Sequence, residues 1–355
     1  MIKGTAIVLT NGWLNNLHAK TCHGLLRGTE RFDVLAVVDP VFAGKDAGEI
    51  MDGKKRGIPV YANVTESIEK VGKTPKYAVV GVAVHGGKLP KEMRSELFTA
   101  MRKGLSVICG LHSFLSDDPE FIKIAEETGV EMFDVRKPRP ISELRFWSGE
   151  IYDIKNAVVA VLGTDCALGK RTTARFLTET CRNHGISAEM IYTGQTGWMQ
   201  GNRYGFVFDS TVNDFISGEI ERAIVDCAKE ANPDVMFIEG QSALRNPSGP
   251  CGTEFLLSGN AKGVILQHAP GRDMFEGHEE LGVKIPTLLD EIALIKMYGS
   301  RVLGIALNEE SWTDAQMRSY QHQQRELLGI PVVRPLVEGV EELLPAIREY
   351  IQTGA

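Results

Sequence analysis

The stretch "AVVAVLGTDCALGKRTTARFL", residues 157–177, constrains the fold of this chain more than any other. An apolar run at 157–162 enters a turn bounded by Gly163 and Gly169, Lys170 follows, and residues 172–177 have helical character. A strand that turns through glycines into a helix aims backbone N–H groups and a helix N-terminus at an anion. In the usual G-x-x-x-x-G-K-[ST] loop the next residue is Ser or Thr, whose hydroxyl holds Mg²⁺. Here it is Arg171, which cannot coordinate a metal and adds its own charge.

Around this loop the chain alternates strand-like and helix-like segments. Residues 5–9, 34–38, 78–84 and 105–109 are short, β-branched and apolar, as buried parallel strands are. Helical patterns lie at 91–103 and 119–128. The basic, proline-broken "VRKPRPISEL" then predicts a domain boundary, because proline removes a donor and restricts its predecessor. Beyond it, strands are expected at 157–162, 188–192, 235–238, 263–267, 301–306 and 331–333, and helices at 214–230, 288–297 and 313–328. A chain of 355 residues exceeds one typical core. The pattern predicts two α/β domains, residues 1–150 with a doubly wound sheet and residues 151–355 carrying the phosphate loop. The first turn, "TNGWLNNLHAKT", lacks G-x-G-x-x-G, although Asp39 ends the second strand where a ribose-binding acid often sits. The first domain therefore reads as a degenerate dinucleotide fold that serves assembly or covers the active site.

Charge narrows the partners. A net charge of −7 argues against general affinity for nucleic acid or an anionic membrane, yet leaves room for a local basic pocket. No signal-peptide pattern is present, and no apolar run approaches the roughly 20 residues of a membrane span. Six cysteines without C-x-x-C spacing read as reduced thiols of a cytoplasmic protein, and no histidine spacing suggests a structural metal. A symmetric homo-oligomer is the base expectation for such an enzyme.

The cradle expected from the loop is Gly163, Thr164, Cys166, Ala167, Leu168, Gly169, Lys170, Arg171 and Thr172. Thr172 is one position late for the metal, its hydroxyl turned about 100° around the helix. A cradle without that metal suits a cofactor whose phosphates are handles. Coenzyme A is one, its reactive thiol far from its pyrophosphate. Counting from Gly163, the loop also resembles "GTDTxVGKT" of dethiobiotin synthetase and its relatives. "MFIEG", ending in Glu239 and Gly240, resembles the acidic strand end of that class. That likeness implies, as the alternative, an ATP-dependent ligase or kinase using Mg/ATP; Arg171 counts against it.

A wider set of motifs points elsewhere: "GTDCALGKRTTA", "YTGQTGWM", "FIEGQSALRNP" and "LQHAPGR", with "AKTCHGLLRG", "VVGVAVHGGKLP" and "GLHSFLSDDPE" before them. Together they resemble a family long catalogued as a domain of unknown function, with a Rossmann-like N-domain and a P-loop NTPase-like C-domain. One branch of it is the D-glutamate N-acetyltransferase family, DgcN type. The resemblance covers nearly the whole chain. It implies transfer of an acetyl group from acetyl-CoA to the amino group of D-glutamate, in D-amino acid catabolism.

Such chemistry needs an unprotonated amine and a stabilised oxyanion. Glu239, at the end of a buried strand beside the loop, is the first candidate for proton handling, or else it is a carboxylate bonded to Lys170 or Thr172. His268 is the second candidate, with a near-neutral ordinary pKa, or else it is a satisfied core histidine. Asp165 contacts the amine or caps the helix. Arg245 and Arg272, in loops after strands, are candidates for the substrate carboxylates, with Arg203 a weaker third. Gln195, Thr196 and Gln241 are candidates for neutral hydrogen bonds to substrate. Cys166 is either a thiol of lowered pKa or a small packing residue.

Overall fold

The computed structural model describes residues 2–353, apart from the side chain of His85. The chain divides into two compact units, residues 1–138 with 195–202, and residues 139–194 with 203–355.

The first unit carries six parallel strands: β1 (Gly4–Leu9), β2 (Phe32–Val38), β3 (Val60–Tyr61), β4 (Tyr77–Val80), β5 (Ser106–Cys109) and β6 (Met132–Asp134). Their order, β3-β2-β1-β4-β5-β6, reverses between β1 and β4, as in a doubly wound fold. Successive residues serve opposite faces: Ile7 and Leu9 join one apolar cluster, Ala6 and Val8 the other. β4 ends four residues before the expected limit at 84. Gly81 follows, where a Cβ would lie 2.6 Å from Val8 Cγ1. Asp39 is fully buried. One of its oxygens accepts from Thr10 Oγ1 and the N–H groups of Gly12 and Leu14, and the other from Val41 and Phe42. The acid that such a fold offers to a ribose is here tied to the chain's own turns.

The second unit carries β7 (Ala157–Gly163), β8 (Ala188–Tyr192), β9 (Tyr204–Gly205), β10 (Val235–Glu239), β11 (Gly263–His268), β12 (Arg301–Leu307) and β13 (Val332–Val333). The sheet runs β13-β12-β11-β7-β10-β8-β9, all parallel, so the strand that feeds the phosphate loop is central. Val158, Ala160 and Leu162 enter one core, Val159 and Val161 the other, and helices cover both.

The division falls at 138/139, inside the proline-broken stretch 135–144 and ahead of the start expected for the second domain at residue 151. The physical reason lies on the helix Asn213–Glu230. Its buried Glu219 pairs with Arg139 and accepts the N–H of Arg145 at 3.0 Å. Its buried Glu221 accepts the N–H groups of Ser148, Gly149 and Ile151. Residues 139–151 are thus a strap bound to the second unit. No described helix is long and apolar enough to cross a membrane.

Candidate functional site around the phosphate loop

Register sets the site. β7 lies between β10 and β11, with Val161 opposite Glu239 and Gly163 opposite Gln267. The carboxyl ends of three neighbouring strands therefore deliver the phosphate loop, Glu239 and His268 to one edge, where open α/β sheets bind ligands.

After β7 the chain turns through Ala167 (φ 52°) and Gly169 (φ 102°) into the helix Lys170–Asn183. Glycine suits such an angle; Ala167 is held there against the preference of its Cβ. Lys170 folds back over the loop, its Nζ donating to the carbonyl of Asp165 at 2.6 Å. Two glycines make room for it. A Cβ on Gly163 would lie 3.2 Å from that Nζ, and one on Gly240 would lie 3.0 Å from the lysine's Cδ. Burial holds the lysine's pKa below its ordinary value. Arg171 and Thr172 are half-buried in the first helical turn, where N–H groups lack intrahelical acceptors. Thr173 is the hydroxyl that anchors this turn, donating to Gln267 Oε1 at 2.6 Å. Leu168 is fixed by its carbonyl, which accepts from Asn308 Nδ2. Two cations, a helix start and a left-handed turn form a cradle whose chemistry fits phosphate.

Asp165 is completely buried and its carboxylate is consumed by the chain itself. One oxygen accepts from the Cys166 N–H and Asn246 Nδ2, the other from Arg272 Nη1 and the Glu276 N–H. The side chain thereby ties three loops together. Arg272, mostly buried, also holds the Cys166 carbonyl and Glu310. Burial opposes its charge, but Asp165 and Glu310 outweigh that and hold its pKa above the ordinary value. Cys166 Sγ lies 3.5 Å from Ser242 Oγ and 3.6 Å from Asn246 Nδ2.

Glu239 is buried, and burial pushes its pKa up; Arg171, the N–H groups of Thr193 and Gly194, and Lys170 pull the other way. Thr193 donates its N–H to Glu239 Oε2 and its hydroxyl to the Glu239 carbonyl, and Gln241 Nε2 donates to that hydroxyl at 2.9 Å. Gly194 permits this packing, since a Cβ there would lie 3.3 Å from Glu239 Oε1. On the other side of β7, Thr164 Oγ1 and His268 Nδ1 are 3.0 Å apart. Burial lowers the imidazole's pKa to about 4, so it is neutral at neutral pH. Arg245 pairs through Nε with Glu291 at 2.7 Å.

The loop residues, Glu239, Gln241, Arg245, His268 and Arg272 all belong to the second unit. Gln195 and Thr196 belong to the first. There Thr196 Oγ1 meets Thr21 Oγ1 at 3.0 Å, and Gln195 packs where a Cβ on Gly110 would stand 2.7 Å from its Cγ. Arg203 is exposed and pairs with Glu230. Asn246, Thr193 and Gln267 escaped the sequence reading although each sits inside a quoted motif. Glu291 and Glu310 sit in none.

The family model described as "Domain of unknown function (DUF1611_C) P-loop domain" matches residues 145–344. That described as "Domain of unknown function (DUF1611_N) Rossmann-like domain" matches residues 40–138. A D-glutamate N-acetyltransferase of Tritonibacter scottomollicae is 29% identical over 279 residues, 77% of this chain and 81% of the relative. One from a Pseudoalteromonas species is 28% identical over 274 residues, 76% and 80% of the two chains. A DUF1611 family protein of Anabaena variabilis, known from its crystal structure, is similar with a TM-score of 0.87 at 27% identity. That match covers 97% of this chain and 99% of the other.

Proposed function

The chain belongs to the DUF1611 family, and we propose that it transfers an acetyl group from acetyl-CoA to the amino group of D-glutamate. Two relatives carry the name D-glutamate N-acetyltransferase. The observation that carries the reading is the pairing of a phosphate loop whose metal position holds Arg171 with a buried acid, Glu239, at the next strand end.

Each residue then has a task. Lys170, Arg171 and the N–H groups of the first helical turn hold the diphosphate, with the guanidinium supplying charge that a metal supplies in other phosphate loops. Bound acetyl-CoA would supply a thioester carbonyl open to attack by an unprotonated amine. Glu239, its pKa raised by burial, receives the ammonium proton at its carboxylate; as the new C–N bond forms and the C–S bond breaks, the departing coenzyme A thiolate takes the second nitrogen proton. His268 is neutral and orients Thr164 in the loop. Arg245 receives a carboxylate of the acceptor amino acid. Asp165 and Arg272 hold the loops that carry these groups.

Incubation with acetyl-CoA and either enantiomer of glutamate, followed by free-thiol release, tests the reading. Release that requires D-glutamate is expected. ADP formation from ATP with no thiol release would move the chain to the ligase or kinase class, which the phosphate loop and Glu239 also suit.

A further inference from the structure

Arg245 lies in the loop after β10, one residue before Asn246, which reaches Asp165 in the phosphate loop. Its Nε donates to Oε1 of Glu291 at 2.7 Å. Glu291 sits in the first turn of the helix Leu288–Met297, its side chain 1% exposed, whereas that of Arg245 is 37% exposed. The other carboxylate oxygen, Oε2, is buried and has no hydrogen-bond partner among the described residues. Burial raises the pKa of Glu291 against the pull of Arg245.

A buried carboxylate with one oxygen unmatched weakens a fold, and an apolar side chain would avoid the cost. What Glu291 supplies is geometry. A guanidinium anchored at Nε has a fixed plane, and its two terminal nitrogens keep the edge that pairs with a carboxylate in a fork. Resting on the acetyltransfer reading, we infer that Glu291 is a positioning residue that fixes Arg245 so that its terminal nitrogens receive the side-chain carboxylate of the acceptor. Glu291 sets the preference for a dicarboxylic amino acid without touching it.

Glu291→Met separates this role from a structural one, because it removes the buried charge and keeps an unbranched side chain of similar size. The variant should raise KM for D-glutamate about tenfold or more, the loss of one well-placed charged contact. KM for acetyl-CoA should stay constant and the melting temperature should not fall. Discrimination between D-glutamate and D-norvaline, which lacks the second carboxylate, should shrink with it. An unchanged KM for glutamate, or a rise in both KM values together with a lower melting temperature, overturns the inference. Should the Met variant not fold, Glu291→Gln, which keeps an acceptor without the charge, is read by the same split. If the wild type acetylates no glutamate, the functional reading fails by itself. Calorimetric binding of glutarate to wild type and variant then decides for Glu291 alone: equal affinity, or no binding, refutes it.

Discussion

Glu239 and His268 end adjacent partners of one strand, yet burial drives them in opposite chemical directions. It raises the acid and lowers the imidazole to about 4, so each is biased toward its neutral form. Only the acid has cations beside it, Arg171 and Lys170, to favour its ionised form. The sign of its effect on stability follows. The unfolded chain loses this proton near the ordinary value of about 4.3, and the folded chain holds it to higher pH. The stabilisation is full below the ordinary value and is lost as pH rises through the raised one. Glu239→Gln mimics the protonated form and escapes that loss. Its melting temperature relative to wild type should therefore climb from acid toward neutral pH. Its acetyl transfer should fall about 100-fold or more and lose the limb that rises with pH, as expected for a removed base. A constant difference in melting temperature, or an intact pH–rate limb, would contradict the account of Glu239.

Among elements, the strap over the helix Asn213–Glu230 gives the sharpest test, because two rules predict opposite signs. Gly218 is inside a helix, where alanine is better by roughly 0.8–1 kcal/mol. A Cβ there, however, would stand 1.9 Å from the carbonyl of Arg145. Overpacking of that kind costs about 1–3 kcal/mol, and the strap cannot retreat while Glu219 and Glu221 hold it. Net of the propensity gain the cost is up to about 2 kcal/mol, so Gly218→Ala should lower the melting temperature by up to roughly 8 °C in a unit of this size and speed amide exchange across 145–151. A higher melting temperature would mean that propensity wins and the strap is loose. The long parallel strands were legible in the sequence because both faces are buried and the β-branched runs are unbroken. β3, β6 and β9, two or three residues each, are too short to show any period. At the site, Lys170, Glu239 and His268 were legible because strand ends beside a glycine loop converge by topology. Asn246 meets Asp165 across 81 residues of chain, and no local pattern encodes such a meeting. Glu291 has the look of an ordinary charged residue on an amphipathic helix until its burial is known.

On the scale of the whole molecule, the least legible feature is that the first unit is built from two stretches of chain. Nothing in the motif "YTGQTGWM" marks this, yet Gln195–Gln200 is a short helix that belongs with residues 1–138. It is fixed there by its own contacts: Gln200 Nε2 donates to the carbonyls of Gly24 and Gly28, and Arg31 lies over the Trp198 ring at 4.1 Å. Arg31 Nε also donates to the Trp198 carbonyl, and Met199 is completely buried among Leu14, Leu25 and Ile108. A cut at 138/139 therefore does not yield two complete bodies. The fragment 139–355 would carry Trp198 and Met199 without the core that covers them, and the fragment 1–138 would lack one wall. The larger fragment alone should bind an apolar dye and show red-shifted tryptophan emission. Mixing it with 1–138 should suppress the dye signal and shift the emission back, because burial of those two side chains drives reassociation. Dye binding and emission in the larger fragment that match the intact chain, with no response to its complement, would show that residues 195–202 do not complete the first core.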